Sequence, residues 1–166
     1  RSCLVGSEMC IRDSVDVYDS QVLGNVATYG GAFYSEDGSA INVDAGTETI
    51  VSDNSADYGA VAYSEYGFFD QPLSGGGLID FSGNVSSTAD FYLGPGSQMS
   101  MYGSVTTSSP VAFQVEGAGA VFTIGETASV SAPIDIQVAA DPTDNTYDFT
   151  GTPMRCEEST GVCVEI

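Results

Sequence analysis

The chain has 166 residues, 42% of them apolar, and this length and composition fit a single domain with its own core. The charge is strongly negative, because the chain has 23 acidic residues and three arginines but no Lys and no His. The net charge is −20. Without a cationic patch, nucleic acid is excluded as a partner and binding to an anionic membrane is disfavoured. A solvated acidic face, cation binding and a salty environment all remain open as explanations.

Residues 1–14 differ from the rest of the chain. They contain Arg1, Arg12 and two of the four cysteines, and they carry no repeat. Their sequence closely resembles a translated sequencing-adapter artefact that recurs at the ends of environmental gene fragments. We therefore expect a non-native or disordered head over 1–14, with a genuine but poorly ordered N-terminus as the alternative. With such a head, the lack of a signal peptide carries no information about secretion.

A repeated segment organises the chain from residue 15 to residue 140. Residues 24–34 recur as 53–63, and a degenerate third copy covers 83–93. A regular repeat of this length indicates one supersecondary unit that stacks on copies of itself.

Short β-branched strands separated by Gly and Asp turns fill each period, and no helical periodicity is present. A slightly shorter period continues after the third copy, since Phe122 repeats the position of Met99. These features predict an all-β fold, a right-handed parallel β-helix of about four to six coils over 15–140. Ile41, Ile79 and Met99 are expected to stack inside it as an aliphatic ladder.

The segment 64–77 interrupts this pattern with Phe68, Phe69 and three consecutive glycines. It is too aromatic for a plain linker. We expect a loop insertion that leaves the solenoid and folds back on it, the kind of loop that often carries function.

Asn25, Asn54 and Asn84 occupy the same place in the three copies, so their spacing follows the repeat. An Asn side chain at a turn bonds to nearby backbone amides, and stacked Asn amides also bond to one another. The spacing therefore predicts a structural ladder at one turn of successive coils, which we favour over a ligand-binding role.

Beyond the repeats, we expect an Asp-rich turn and a Cys-bearing C-terminal segment over 141–166. Asp141, Asp144, Asn145 and Asp148 place four oxygen-bearing side chains within eight residues, and calcium prefers oxygen ligands. The spacing matches no EF-hand loop, so an Asp-rich turn without metal is the alternative.

Two cysteines, Cys156 and Cys163, enclose six residues with a glycine that suits a tight turn. In an oxidising compartment this spacing favours a disulfide, and the alternative is a pair of free thiols. With no His in the chain, a four-ligand zinc site is not expected.

The pattern aliphatic or Phe-x-x-Asn-x-Ala followed by Gly-Gly-Ala resembles the repeats of polymorphic outer-membrane proteins, a family of bacterial right-handed β-helix proteins. It covers 22–34 and 51–63 well and 81–93 in part. The resemblance implies the passenger region of an autotransporter, extracellular or on the outer-membrane surface, with an adhesive role. It also implies that the chain is a fragment of a larger surface protein.

The expected function is therefore a secreted or cell-surface β-helix module, structural or adhesive, whose partner is a cell-surface protein or a glycan. The alternative is a carbohydrate-active β-helix enzyme, a polysaccharide lyase or a glycoside hydrolase. Lyases with this fold commonly use Lys or Arg as base, and here only Arg155 is available. The acids are scattered, so we assign no catalytic residue, no enzyme activity and no cofactor other than calcium. An ice-binding solenoid would need regularly repeated Thr pairs, which the sequence lacks.

Overall fold

The computed structural model describes residues 14–71, 78–102, 104–106, 109–116, 118–124, 129–131, 134–138, 146–149, 154–157 and 162–165. Within these ranges the chain forms strands and no helix, so the all-β prediction is confirmed. The strands are β1 Ser14–Tyr18, β2 Gln21–Leu23, β3 Val26–Tyr29, β4 Phe33–Glu36, β5 Ala40–Asp44, β6 Glu48–Ser52, β7 Ser55–Tyr58, β8 Ala62–Glu65, β9 Phe68–Asp70, β10 Leu78–Asp80, β11 Val85–Ser86, β12 Ala89–Leu93, β13 Gln98–Met101, β14 Ser104–Thr106, β15 Val111–Val115, β16 Val121–Ile124, β17 Ser129–Ser131, β18 Ile134–Val138, β19 Thr146–Phe149, β20 Met154–Glu157 and β21 Val162–Glu165.

Hydrogen bonding arranges these strands in separate sheets. The first sheet has the order β1-β5-β9-β13-β16-β19, the second β10-β6-β2 and the third β11-β7-β3. The fourth sheet has the order β20-β21-β18-β15-β12-β8-β4, and β14 pairs with β17. Every pairing is parallel except those of β21 with β18 and β20. Each of β1 to β8 pairs with the strand that comes four strands later in the chain. This pairing is compatible with a β-helix-like solenoid.

The spacing of the sequence repeats reappears in the strand registers. Tyr34 is opposite Tyr63 on the adjacent strand, and Met99 is opposite Phe122. Equivalent residues of neighbouring sequence copies are therefore register partners on paired strands.

The core follows the alternation of the strands. On β5 the inward residues Ile41 and Val43 are at most 4% exposed, whereas Asn42 between them is half-buried. Aromatic rings fill the centre, with Phe91 stacked on Phe113 at 5.0 Å between ring centroids and Phe113 against Phe122 at 4.8 Å.

The expected aliphatic ladder of Ile41, Ile79 and Met99 does not form. Phe69 is the register partner of both Ile41 and Met99 in the first sheet. Ile79 belongs to the second sheet, opposite Thr49. Both isoleucines are buried, but a sequence pattern of buried positions does not distinguish one sheet of a solenoid from another.

The predicted loop insertion over 64–77 also differs from the structure. Strand β8 continues to Glu65, and Phe68–Asp70 forms β9, paired on both sides. Phe69 points into the core at 1% exposure while Phe68 is 38% exposed. A three-residue strand shows too little alternation to be recognised among glycines. Residues 72–77, which hold the three glycines, lie outside the described residues.

Glycines allow neighbouring repeats to approach closely at one corner. The Gly31 N–H donates to the Gly59 carbonyl at 2.9 Å, and a Cβ at Gly31 would lie 2.4 Å from the Ala60 carbonyl oxygen. Gly30 has a φ of +62°, which disfavours any other residue.

The structure also bears on the two ends of the predicted repeat region. Residues 1–13 lie outside the described residues, and β1 begins at Ser14. Within the C-terminal segment 141–166, β19 pairs in parallel with β16 and extends the first sheet. No helix among the described residues is long and apolar enough to cross a membrane.

Candidate functional site

The structure brings Asn25, Asn54 and Asn84 together in one chain of hydrogen bonds. The Asn25 Nδ2 donates to Asn54 Oδ1 at 2.9 Å, and the Asn54 Nδ2 donates to Asn84 Oδ1 at 3.0 Å. The backbone N–H groups of Asn25 and Asn54 donate to the same two oxygens, each at 3.0 Å. Asn54 and Asn84 are fully buried. Their amides are used within the fold, as buried polar groups require, and are not presented to a ligand.

The candidate calcium residues are not brought together by any described contact. Asp141, Asp144 and Asn145 lie outside the described residues, and Asp148 is in β19 opposite Thr123. Across the ranges that the structure describes, no group of three or more acidic or Cys side chains is arranged to hold a metal ion. Calcium binding stays a prediction.

Cys156 and Cys163 are register partners in the antiparallel hairpin of β20 and β21. Directly opposed residues of antiparallel strands have Cα atoms about 4.5–5.5 Å apart, within the range that a disulfide spans. The backbone pairing is compatible with the predicted disulfide, which stays a prediction.

A shallow groove of about 310 Å³ lies on the outer side of the first sheet. It is lined by Ala40, Asn42, Phe68, Phe69, Asp70, Gln98 and Ser100. Burial raises the pKa of Asp70, and a hydrogen bond from Ser100 partly offsets that effect. Asp70 supplies the carboxylate of this groove, whereas glycoside hydrolysis needs two carboxylates that face one bond.

A more extensive feature lies where the third and fourth sheets meet. We call it the tyrosine surface, and it consists of Tyr29, Tyr34, Tyr58, Tyr63 and Tyr92. Tyr29 is opposite Tyr58 in the third sheet, and the other three are consecutive partners in the fourth. Strand alternation explains their position, since Phe33 and Ser35 point inward on β4 and Tyr34 between them points outward.

The rings of the tyrosine surface form two stacks that touch each other edge-on. Tyr34 and Tyr63 are nearly parallel with centroids 5.4 Å apart, and Tyr63 and Tyr92 follow at 4.9 Å. Tyr29 stacks on Tyr58 at 5.2 Å and meets Tyr63 edge-on at 5.1 Å. Tyr29 and Tyr34 are 48% and 47% exposed, whereas Tyr92 is buried. The surface is therefore a preformed aromatic platform open to solvent at its Tyr29 and Tyr34 end.

A row of carboxylates runs beside the tyrosines of the fourth sheet. Each hydroxyl there donates a hydrogen bond to a glutamate: Tyr34 to Glu36 at 2.8 Å, Tyr63 to Glu65 at 3.4 Å, and Tyr92 to Glu116. Glu36 and Glu65 are themselves register partners on adjacent strands. The rings thus lie in a negative field.

This field and partial burial hold the hydroxyls in their protonated form. The hydrogen bond to Glu36 raises the pKa of Tyr34 to about 12, with burial and the glutamate charges adding to it. For Tyr63, burial and then the charge of Glu65 raise the pKa to about 12. Burial followed by the bond to Glu116 also raises the pKa of Tyr92.

The sequence between residues 13 and 154 supplies no cation to this surface, since it contains no Lys, Arg or His. The tyrosine surface was not predicted from the sequence, although the sequence contains a signal for it. Tyr34, Tyr63 and Tyr92 recur at a constant interval, the same interval that separates Tyr29 from Tyr58. Comparison of the chain with protein-family models, with curated proteins and with solved structures gives no match.

Proposed function

We propose that the parallel sheets are the faces of one right-handed parallel β-helix. Strands β1–β4, β5–β8 and β9–β12 are three successive coils, and β13–β15 and β16–β18 are two more. The pairing of each early strand with the strand four positions later supports this arrangement. Parallel crossovers are right-handed in about 98% of known cases, which supports the hand.

On this scaffold the protein acts as a secreted or cell-surface module with an adhesive role, extracellular or at the outer-membrane surface. The observation that supports this function is the tyrosine surface. Contiguous exposed aromatic area bordered by polar groups marks interaction sites. Tyr supplies large contact area at low entropic cost, and the stacked rings are already ordered before binding. The resemblance of the repeats to polymorphic outer-membrane protein repeats supports the same function.

We do not propose an enzymatic function. The groove on the first sheet offers Asp70, and the hydroxyls of the tyrosine surface are occupied by glutamates. A carbohydrate-active enzyme would be supported instead by hydrolysis or elimination of a polysaccharide by the purified protein.

The test is adhesion of protein-coated beads to immobilised extracellular-matrix proteins and glycans under flow. We expect wild-type beads to adhere to one of these surfaces and Tyr34→Leu/Tyr63→Leu beads to lose at least nine-tenths of that adhesion, an order-of-magnitude effect for loss of two aromatic contacts. Tyr18→Leu is the matched control, because Tyr18 is 55% exposed and belongs to β1 of the first sheet. If adhesion survives the double substitution, the tyrosine surface is not the adhesive contact.

A further inference from the structure

The tyrosine surface combines aromatic faces with carboxylates and lacks any cation of its own. We infer that it binds the guanidinium groups of an arginine-rich segment of a partner protein. This inference rests on the proposed adhesive function and names the chemistry of the partner.

The geometry of the stack supports a planar cation as the ligand. A guanidinium lies flat on an aromatic ring and at the same time donates to a carboxylate beside it. Tyr34 offers an exposed ring, and Glu36 is two residues further on and accepts its hydroxyl hydrogen at 2.8 Å. Tyr63 is stacked between Tyr34 and Tyr92, so its ring faces are covered. The guanidinium site is therefore the exposed ring of Tyr34 at the end of the row, where Glu36 and its register partner Glu65 supply the carboxylates.

Charge complementarity selects a cationic partner. The molecule has a net charge of −20, and no Lys, Arg or His occurs between residues 13 and 154. Such a potential repels anionic glycans and phosphates and attracts polycations over roughly a Debye length, ~8 Å at physiological salt. After the hydrogen bond to Glu36 and burial at Tyr34, and after burial at Tyr63, glutamate charge contributes to raising the pKa of each tyrosine to about 12.

Arginine is distinguished from lysine by the rings. Both side chains carry one positive charge, but the guanidinium is planar, weakly hydrated and stacks on aromatic faces, whereas the ammonium is a compact, strongly hydrated charge. A surface of carboxylates alone favours arginine only through the two hydrogen bonds that the guanidinium fork donates to one carboxylate. A surface in which the tyrosines take part binds arginine more tightly.

The test is isothermal titration calorimetry of the whole chain with octa-arginine and octa-lysine peptides in 150 mM NaCl. We expect octa-arginine to bind roughly fivefold more tightly than octa-lysine, from contact with the exposed Tyr34 ring. Tyr34→Leu/Tyr63→Leu leaves the net charge unchanged and is expected to bring the two dissociation constants within about twofold of each other. Tyr34→Leu alone, at an exposed position, is the fallback if the double variant does not fold, and a partial loss of the preference is then expected. Tyr18→Leu should keep the full preference.

A second pair of variants localises the charge. Two double variants each remove two negative charges. Glu36→Gln/Glu65→Gln removes them at the tyrosine surface, and the control Asp16→Asn/Glu48→Gln removes them on other sheets. We expect the first to weaken octa-arginine binding at least fivefold more than the second. Equal binding of the two peptides by the wild type, or equal effects of the two charge variants, would overturn the inference. Bead adhesion to a neutral glycan with no arginine preference would leave the adhesive function standing and remove only the arginine partner.

Discussion

Asn54 is the residue on which the Asn ladder depends. Its Oδ1 accepts from the backbone N–H and the Nδ2 of Asn25, and its Nδ2 donates to Asn84 Oδ1 and to the Val22 carbonyl. Replacement by Ala removes all four bonds and leaves buried groups without partners. We expect Asn54→Ala to lower the free energy of unfolding by about 3 kcal/mol.

The control for Asn54 is the end of the same ladder. Asn25 is exposed, and water replaces the hydrogen bonds that its side chain loses. Asn25→Ala should therefore cost only about 0.5–1.5 kcal/mol. Urea unfolding of both variants measures the difference, and equal costs would show that the ladder does not depend on its buried rung.

The tyrosines give the molecule a defined sensitivity to alkaline pH. The folded-state pKa values of Tyr34 and Tyr63 are about 12, above the ordinary value of 10.0. The folded state therefore holds protons that the unfolded state has lost between these values, and stability falls as pH rises. We expect the free energy of unfolding to change little through pH 9 and to decrease between pH 10 and 12. Urea unfolding at each pH measures this, and Tyr34→Phe/Tyr63→Phe should flatten the decrease.

Residue spacing predicted the ladder but not the tyrosine surface. The asparagines were identified because an Asn at a repeated turn has a known structural role. The tyrosines recur just as regularly, but alternation alone does not reveal whether Tyr34 faces the core or solvent. That orientation follows from Phe33 and Ser35 being the inward residues of β4.

Among the elements, the C-terminal hairpin carries a prediction of its own. Cys156 and Cys163 are directly opposed in β20 and β21, and a disulfide there would close a short loop. Chain-entropy arguments give such a loop about 2–3 kcal/mol. We expect peptide mapping under non-reducing conditions to find Cys156 bridged to Cys163, and Cys156→Ser/Cys163→Ser to lower the melting temperature. Two alkylatable thiols at these positions in oxidised protein would contradict the pairing.

Strand existence was easier to predict than strand position. Short strands were expected throughout the repeats, and the repeat that relates Met99 to Phe122 is a true register pair. Strand β9 was assigned to a loop because Phe68–Asp70 is short and flanked by glycine. Because β9 was not predicted, the expected ladder contained Ile79 at the position that Phe69 occupies in the structure. Register in a solenoid depends on each coil's length, which varies where a corner gains or loses residues.

At the scale of the whole molecule, parallel stacking concentrates like charges. Strands in a sheet are ~4.8 Å apart, so equivalent acids of successive repeats lie well within one Debye length. Glu36 and Glu65 are direct register partners, and no cation occurs between residues 13 and 154 to relieve such pairs. Each exposed pair costs little, but the cost accumulates over a net charge of −20.

Added salt should therefore stabilise the fold by screening this repulsion. We expect the melting temperature to rise by about 3 °C between 0.05 and 0.5 M NaCl, a change of roughly 1 kcal/mol in stability. If Asp141, Asp144, Asn145 and Asp148 bind calcium, millimolar CaCl₂ adds a further rise, because a ligand that binds only the folded state stabilises it by mass action. Differential scanning calorimetry in NaCl and CaCl₂ at matched ionic strength separates the two effects.

A flat response of the melting temperature to NaCl would refute the repulsion argument. Identical curves in the two salts would remove the case for calcium and leave the screening argument intact, and Asp144→Asn/Asp148→Asn should abolish any calcium-specific difference.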